Sequence, residues 1–309
     1  MKTGMRAEDK VTILGAGFIG RNLLRSYCAE QRNLCVLDKE PCPDEFAQKV
    51  NWIRGTFTAE ADVTAAVKGA SIVYHLISST VPGDEIDESE ELFGNVIQTI
   101  KLLKICVREK VKRVVFTSSA SVYGPQAILP IPETACTNPI SSHGIHKLTI
   151  EKYMLYYKYK YGLDCKIVRL SNPYGMGQDV YGRQGFIAIT IGKILSGEPV
   201  LLRGSGEAKR DFIHIDDVVC ALRLIAVSAT VESLFNLGSG NAVSLRDVFI
   251  SIKLITGYNL AVKNSPSRMV DILESVLDIS RAKQLLGYCP KVSLDDGMSV
   301  LLKQYGLKA

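Results

Sequence analysis

The amino-acid sequence predicts an α/β fold in which helices cover both faces of a doubly wound parallel sheet. Short apolar runs alternate with amphipathic segments through the first half of the chain. A group of glycines directly follows the first apolar run. Past Asn172 the alternation loosens and glycine-rich joints become frequent. We therefore expect a sheet domain over residues 1–170 and a smaller C-terminal substrate-binding lobe over residues 171–309, from which the chain can cross back to the sheet.

The first predicted strand leads into a glycine pattern. Val11–Leu14 is a short apolar run rich in β-branched residues, which is typical of a buried parallel strand. Gly15, Gly17 and Gly20 follow it with the spacing G-x-G-x-x-G. In this context the first glycine permits a tight turn, the second lets backbone approach a pyrophosphate, and the third lets the helix pack closely. The segment predicts a Rossmann-type dinucleotide site, with a structural turn that binds no ligand as the alternative.

The helix after this turn and the next strand complete the predicted cofactor site. The helix begins at Phe18 and Ile19, and its free N–H groups and positive dipole end suit the phosphates. The next predicted strand, Asn33–Leu37, is followed by Asp38. A carboxylate here accepts hydrogen bonds from the adenosine ribose and repels a 2′-phosphate. We therefore expect NAD as the cofactor, with NADP as the alternative.

The remaining predicted elements continue the alternation. Strands are expected at Val50–Ile53, Ser71–Leu76, Arg113–Thr117 and Cys165–Leu170, and helices at Glu60–Lys68, Glu88–Glu109 and Ser142–Tyr161. In the second half, helices are expected at Phe186–Ser196, Asp216–Ala226, Leu245–Thr256 and from Leu294, and short strands near Val200–Leu202 and Leu234–Leu237. Ligands of such sheets bind beyond the carboxyl ends of the strands, so functional residues should directly follow them.

Composition excludes several classes of function. Hydrophobic residues form 47% and charged residues 22% of the chain, which is ordinary for a globular protein. The sequence has no apolar stretch of membrane-spanning length, and its first ten residues lack the apolar core of a secretory signal. The net charge of +5 comes from scattered residues, so neither nucleic acid nor a membrane is an expected partner. Eight cysteines without a C-x-x-C pair, and four histidines without metal-ligand spacing, predict reduced thiols, a cytoplasmic location and no metal site.

Several longer segments resemble the extended short-chain dehydrogenase/reductase family, in its nucleotide-sugar epimerase/dehydratase branch. In chain order they are GAGFIG at Gly15–Gly20, YHL at Tyr74–Leu76, FTSSASVYG at Phe116–Gly124, RLSNPYG at Arg169–Gly175, RDFIHIDDV at Arg210–Val218 and RMVD at Arg268–Asp271. The last segment differs from the family pattern R-P-G-D at the Pro and Gly positions. The matches cover nearly the whole chain in the expected order, which makes the resemblance specific.

The resemblance implies roles for residues near the carboxyl ends of the strands. Ser119 matches the catalytic serine or threonine, and Lys147 matches the lysine that holds the nicotinamide ribose and lowers the pKa of its catalytic partner. Leu76 matches a family position that contacts the cofactor, and Ser79 matches a position near the sugar pocket. The resemblance also implies a homodimer, formed through the helices that follow the fourth and fifth strands.

Three further residues are expected to bind a nucleotide diphosphate sugar. The pyrophosphate of such a substrate carries two negative charges. Arg210 and Arg268 offer forked donors that suit these oxygens, and Asn172 offers an amide. Surface salt bridges are the alternative explanation for the two arginines.

The chain departs from the family at its catalytic tyrosine, four residues before the lysine. His143 occupies that position, and His146 replaces the small residue that usually precedes the lysine. Three interpretations stay open. His143 acts as the acid/base; or water, Ser119 or His146 transfers the proton; or the protein binds its ligands without turnover.

The departure bears on the expected reaction. An epimerase must remove a hydride and a proton from an unactivated alcohol, whereas a reductase needs only a general acid. We therefore expect an NAD(P)-dependent reductase of a 4-keto sugar nucleotide, with or without a 6-deoxy group, slightly ahead of a UDP- or dTDP-hexose 4-epimerase. A 4,6-dehydratase is disfavoured because Ala120 and Ser121 stand where those enzymes carry an Asp–Glu pair. The remaining alternative is a dinucleotide-binding protein without catalysis.

Overall fold

The computed structural model describes residues 9–30, 32–78, 87–259, 261–265 and 272–307. Its strands are β1 (Lys10–Leu14), β2 (Leu34–Asp38), β3 (Asn51–Arg54), β4 (Ala70–His75), β5 (Arg113–Ser119), β6 (Asp164–Leu170), β7 (Asn172–Tyr174), β8 (Val200–Arg203), β9 (Lys209–His214), β10 (Leu234–Leu237), β11 (Ala242–Ser244), β12 (Val262–Ser265) and β13 (Glu274–Ser275). Its α-helices are α1 (Phe18–Cys28), α2 (Glu60–Val67), α3 (Glu88–Glu91), α4 (Gln98–Arg108), α5 (Ser142–Tyr161), α6 (Phe186–Leu195), α7 (Ile215–Val227), α8 (Leu245–Thr256), α9 (Ser280–Leu286) and α10 (Leu294–Gln304).

The main sheet has seven strands in the order β10-β6-β5-β4-β1-β2-β3. Every pairing within it is parallel. The order reverses at β1, as it does in doubly wound sheets that bind dinucleotides at the switch point. The predicted Rossmann α/β fold is confirmed.

The sheet is buried on both faces. Along β1, Ile13 belongs to a core packed with α1 and α7, whereas the next residue, Leu14, belongs to a core packed with α2, α4 and α5. Successive side chains of a strand point to opposite faces, so a strand covered on both sides is apolar throughout. This explains why the strands appear in the sequence as continuous apolar runs rather than alternating ones.

The C-terminal half contains two smaller sheets that the sequence pattern did not predict in full. Strands β11, β9 and β13 form a row, β7 pairs with β9, and β8 pairs with β12. The chain also returns to the main sheet, because α7 packs against α1 and β10 pairs with β6. Among the described residues, no helix has both the length and the apolar character to cross a membrane.

One predicted helix changes its type along its length. The segment expected as a continuous helix over Glu88–Glu109 consists of α3, a π-helical stretch at Leu92–Ile97, and α4. A π-helical turn is wider than an α-helical turn and is frequent at functional sites. The predicted helix is therefore present without a break from Glu88 to Arg108, and the sequence pattern missed only the local change of helix type.

Candidate active site

The glycine turn after β1 has the geometry of a dinucleotide cradle. Gly15 has φ +96°, and a Cβ there would lie 2.9 Å from Ile77 Cγ1. A Cβ at Gly20 would lie 2.1 Å from the Gly15 carbonyl oxygen, so the close approach of α1 requires glycine. A Cβ at Gly17 would meet no atom within 4 Å. The backbone at Gly17 is therefore open to a ligand.

The start of α1 suits a pyrophosphate. Gly17 is the N-cap residue, no side chain caps the helix, and no acidic residue lies in its first turn, which begins with Phe18 and Ile19. Its free N–H groups and positive dipole end are therefore available to an anionic ligand. The arrangement fits the diphosphate of NAD.

Asp38 lies at the carboxyl end of β2 beside this turn. One carboxylate oxygen accepts from the Ala16 N–H at 2.6 Å, and the other accepts from the Glu40 N–H at 2.9 Å. A carboxylate has about four acceptor positions, so two remain for ribose hydroxyls. The two backbone bonds fix the carboxylate next to the turn, where the adenosine ribose of NAD would lie.

Ser119 is the last residue of β5, and His143 lies in the first turn of α5. The Ser119 Oγ accepts from the N–H of Ser121 at 3.1 Å and from its hydroxyl at 2.9 Å. The first turn of α5 packs on this segment so closely that a Cβ at Gly144 would lie 2.7 Å from the Ser121 carbonyl oxygen. His143 belongs to that turn and is only 7% exposed. The structure thus brings the predicted serine and histidine to one edge of the sheet.

Lys147 lies one turn further along α5 and is also buried. Its Nζ donates to the Thr117 carbonyl oxygen at 2.9 Å and lies 4.7 Å from the centre of the Phe116 ring. Burial lowers the pKa of Lys147 to about 8, against the opposing effect of the Glu151 carboxylate. The amine is therefore held rigidly at the end of β5, where it can hold a ribose hydroxyl.

His75, at the end of β4, is a buried neighbour of this site that the sequence analysis did not single out. Its ring lies between those of Phe57 and Phe116, at centroid distances of 5.1 and 5.2 Å. Its Nε2 is 2.8 Å from the Thr99 hydroxyl. Burial, and then the charge of Lys147, lower the pKa of His75 to about 3, so the ring is neutral at physiological pH. Its position near the carboxyl end of a predicted strand was the available signal.

A buried ion pair between Arg169 and Glu151 lies next to the site. Glu151 accepts two hydrogen bonds from the Arg169 guanidinium, at 3.0 and 2.7 Å, and a third from the Ser118 hydroxyl at 2.5 Å. The guanidinium carbon lies 4.6 Å from the centre of the Tyr123 ring. These contacts tie α5 to β5 and β6. They fix the helix that carries His143 directly beside the strand end that carries Ser119.

Of the four predicted substrate residues, the structure describes Asn172 and Arg210. Asn172 and Arg210 lie on the paired strands β7 and β9, and the Asn172 amide donates to the Asp211 carbonyl oxygen at 3.1 Å. Arg210 is half-buried, and its Nη1 donates to the Lys209 carbonyl oxygen at 2.8 Å. Leu76 follows β4 directly, as expected for a cofactor contact. Ser79 and Arg268 lie outside the described residues.

The fold and this site define a Rossmann-type enzyme that binds a dinucleotide. A family model described as the NAD dependent epimerase/dehydratase family matches residues 11–238. The chain belongs to this family. The resemblance stated from the sequence is therefore confirmed, as are the class of enzyme and NAD as its cofactor.

Individual relatives agree with this assignment. A UDP-glucose 4-epimerase of Mycolicibacterium smegmatis is 30% identical over 295 residues, which cover 92% of this chain and 94% of the relative. A dTDP-4-dehydro-6-deoxyglucose reductase of Escherichia coli is 29% identical over 311 residues, with coverage of 95% and 96%. The crystal structure of a UDP-glucose 4-epimerase from Thermotoga maritima with UDP-glucose superposes with a TM-score of 0.90, at 29% identity and coverage of 96% and 98%.

Proposed function

We propose that this chain reduces the ketone of a 4-keto-6-deoxysugar nucleotide. The observation that carries the proposal is the buried imidazole of His143, one helical turn before Lys147, in the place of the family's tyrosine. A reductase needs one group that gives a proton to the new alkoxide. An imidazole has an ordinary pKa of about 6.5 and donates a proton readily near neutral pH, whereas oxidation of an unactivated alcohol needs a strong base.

The proposed reduction needs a hydride for the carbonyl carbon and a proton for the carbonyl oxygen. NADH held at the glycine turn and at Lys147 would supply the hydride for the carbonyl carbon. His143 gives its N–H proton to the carbonyl oxygen, so that an N–H bond breaks and an O–H bond forms. The Ser119 hydroxyl, which already accepts two hydrogen bonds from Ser121, is free to donate its own proton to the same sugar oxygen.

Two sites would orient the ligands. Lys147, fixed on the Thr117 carbonyl, holds the nicotinamide ribose. Asn172 and Arg210, on paired strands of the smaller sheet, bind the substrate pyrophosphate, and Arg268 and Ser79 complete the substrate site. The substrate would therefore lie between the main sheet and the smaller sheet of β7 and β9. We propose that residues 171–309 form mainly the substrate-binding lobe, from which β10 returns to the main sheet.

The direct test is reduction of dTDP-4-keto-6-deoxyglucose with NADH, followed at the ~340 nm band of the reduced nicotinamide. Substrate-dependent loss of this band, with a matching deoxysugar nucleotide as product, would support the proposal. Tight NAD binding without turnover of any sugar nucleotide would instead indicate a protein that binds the dinucleotide without catalysis.

A 4-epimerase is the second candidate, because the relative from Mycolicibacterium smegmatis bears that name. An epimerase would interconvert two hexose nucleotides without net change in NADH. Incubation with UDP-glucose, and chromatography of the product sugar, separates the two candidates. An epimerase must form UDP-galactose, whereas a reductase leaves UDP-glucose unchanged.

We also propose that two copies of the chain associate through α4, α5 and the π-helical segment between α3 and α4. Large apolar side chains are exposed here, namely Leu92, Phe93, Ile97, Ile145, Tyr153, Tyr156 and Tyr159. Aromatic residues are enriched at protein interfaces. Tyr153→Glu should convert a dimer to a monomer in light scattering, whereas Tyr181→Glu, at a residue that is 71% exposed elsewhere, should not.

The thiols support a proposed cytoplasmic location. All eight cysteines are free, and Cys35, Cys106 and Cys165 lie in the core. Burial raises the pKa of each of these three thiols, which keeps them protonated and unreactive. Reduced thiols are typical of cytoplasmic proteins. Fractionation of the native host, with immunodetection of the chain, would test the location.

A further inference from the structure

Arg21 brings a positive charge back to the glycine turn. It is the fourth residue of α1 and is half-buried. Its Nε donates to the Ala16 carbonyl oxygen at 2.9 Å, and Ala16 directly precedes the N-cap residue Gly17. This direction is ordinary for a helix, because side chains lean toward the N-terminus of their helix. The bond to Ala16 therefore holds the guanidinium at the turn whose N–H groups suit a pyrophosphate.

The other two nitrogens of this guanidinium are available to a ligand. Within the described part of the chain, neither Nη1 nor Nη2 of Arg21 makes a hydrogen bond or an ion pair. The nearby carboxylates already have partners, since Asp38 accepts from two backbone N–H groups and Glu45 accepts from Arg25 at 2.8 and 2.7 Å. The charge of Arg21 reaches Glu45 only as a smaller addition to the effect of Arg25, which lowers the pKa of that carboxyl.

The place of this charge is electrostatically unfavourable in the free chain. The N-terminal end of an α-helix carries a partial positive charge, which repels a cation held there. Arg25 lies four residues further along α1, and like charges at this spacing also repel each other. Arg25 is compensated by its two hydrogen bonds to Glu45, whereas Arg21 is bonded only to a carbonyl oxygen. A bound pyrophosphate, with its two negative charges, would offset both repulsions.

We propose that Arg21 binds the pyrophosphate of NAD through its two Nη nitrogens, beside the N–H groups of the first turn of α1. The inference rests on NAD as the cofactor and not on the proposed reduction. Gly17 supplies open backbone, the helix end supplies a partial charge, and Arg21 supplies a full charge in a fork that suits two phosphate oxygens. The glycine spacing ends at Gly20 and does not specify the residue that follows it.

Calorimetric titration with NAD tests the contact. Arg21→Met keeps a long unbranched side chain and removes the charge, so the dissociation constant of NAD should rise about tenfold or more. Arg21→Lys keeps the charge without the fork, and its affinity should lie between those of Arg21→Met and the wild type. Arg25→Met is the matched control, because it removes the same charge from the same helix, and it should bind NAD as the wild type does. Equal NAD affinities of the wild type and Arg21→Met would overturn the proposal.

Thermal melting separates this role from a structural one. Arg21→Met relieves both repulsions in the free chain, so without NAD it should melt no lower than the wild type. At one NAD concentration, the rise in melting temperature should be smaller for Arg21→Met than for the wild type, because the rise follows the affinity for the folded chain. A lower melting temperature of free Arg21→Met, together with weaker NAD binding, would show that the residue supports the turn and would contradict the proposal.

Comparison with NADP identifies the phosphate that Arg21 binds. NADP carries the same pyrophosphate and an additional 2′-phosphate, so Arg21→Met should weaken the binding of both dinucleotides by the same factor. A loss confined to NADP would place Arg21 at the 2′-phosphate and refute the assignment to the pyrophosphate. Added NaCl should weaken NAD binding more in the wild type than in Arg21→Met, because salt screens the charged contact. No sugar nucleotide enters these measurements, so their outcome is independent of whether the chain reduces one.

Discussion

Lys147 Nζ donates a hydrogen bond of 2.9 Å to the carbonyl oxygen of Thr117, which fixes the amine of α5 to the carboxyl end of β5. Both ends of this bond are buried. Because desolvation disfavours the ammonium form, the pKa of Lys147 is lowered to about 8. The residue therefore loses its charge within the range of pH in which the enzyme can be assayed.

This shift predicts that NAD binding weakens as the pH rises through 8. Below pH 8 the ammonium can donate to the nicotinamide ribose, and above it the neutral amine is a poorer donor. Affinity should fall up to about tenfold between pH 7 and pH 9, as measured by calorimetry. Lys147→Met should bind NAD weakly at both values, and Lys152→Met, exposed on the same helix, should follow the wild type. A flat wild-type profile would mean that Lys147 does not contact the cofactor.

Two glycines of the first turn should respond differently to alanine. Gly20→Ala places a Cβ 2.1 Å from the Gly15 carbonyl oxygen, which is backbone and cannot move cheaply. It should reduce the free energy of unfolding by about 1–3 kcal/mol. Gly17→Ala meets no protein atom, so it should fold normally in urea denaturation and lose NAD affinity. Equal stability losses in both variants would contradict this division of roles.

Much of the fold could be predicted because its signals are local. All strands of the main sheet except the edge strand β3 consist largely of buried residues, and apolar runs located the sheet strands within one or two residues. The helices Ser142–Tyr161 and Leu245–Thr256 and the strand Leu234–Leu237 were located with the observed bounds. Short edge strands such as Ala242–Ser244 and Glu274–Ser275 were missed, because two or three half-buried residues do not establish a period.

The candidate site was predictable only where the chain repeats a family motif. Ser119, Lys147, Asn172 and Arg210 were placed by sequence position. Glu91 gave no such signal, because one of three glutamates on a short polar helix is expected to be solvated. Its burial depends on the packing of α5, which brings His146 within 3.8 Å. Contacts between elements distant in sequence are set by tertiary packing, which single-sequence patterns do not encode.

Asp38 should control the choice between NAD and NADP. Its carboxylate is fixed by the Ala16 and Glu40 N–H groups, so it cannot rotate away from a 2′-phosphate. Asp38→Asn keeps the size of the side chain and removes the negative charge. The dissociation constant of NADP divided by that of NAD should fall about tenfold or more, because NAD binding weakens and the repulsion of the NADP 2′-phosphate is relieved. An unchanged ratio would show that Asp38 supports the turn without contacting the ribose.

The role of His143 is tested by two substitutions at one position. His143→Phe removes the proton donor and keeps an aromatic ring, so turnover should fall about 10²–10⁴-fold with little change in NAD affinity. His143→Tyr restores the residue of the family pattern and should regain part of the activity. Stopped-flow measurement of NADH oxidation checks both. Undiminished turnover in His143→Phe would exclude the imidazole as the proton donor. Ser119 or His146 would then be the candidate donor.

His75 predicts a pH dependence of stability that is separate from catalysis. Its pKa is about 3 in the folded chain and about 6.5 in the unfolded chain. Between these values the unfolded chain binds more protons, so stability is fully present above pH 6.5 and is lost as the pH falls. The wild type should therefore lose about 1.4 kcal/mol per pH unit more than His75→Leu between pH 6 and pH 4, as measured by urea denaturation. Parallel losses in the two proteins would show that the ring already gains a proton in the folded chain.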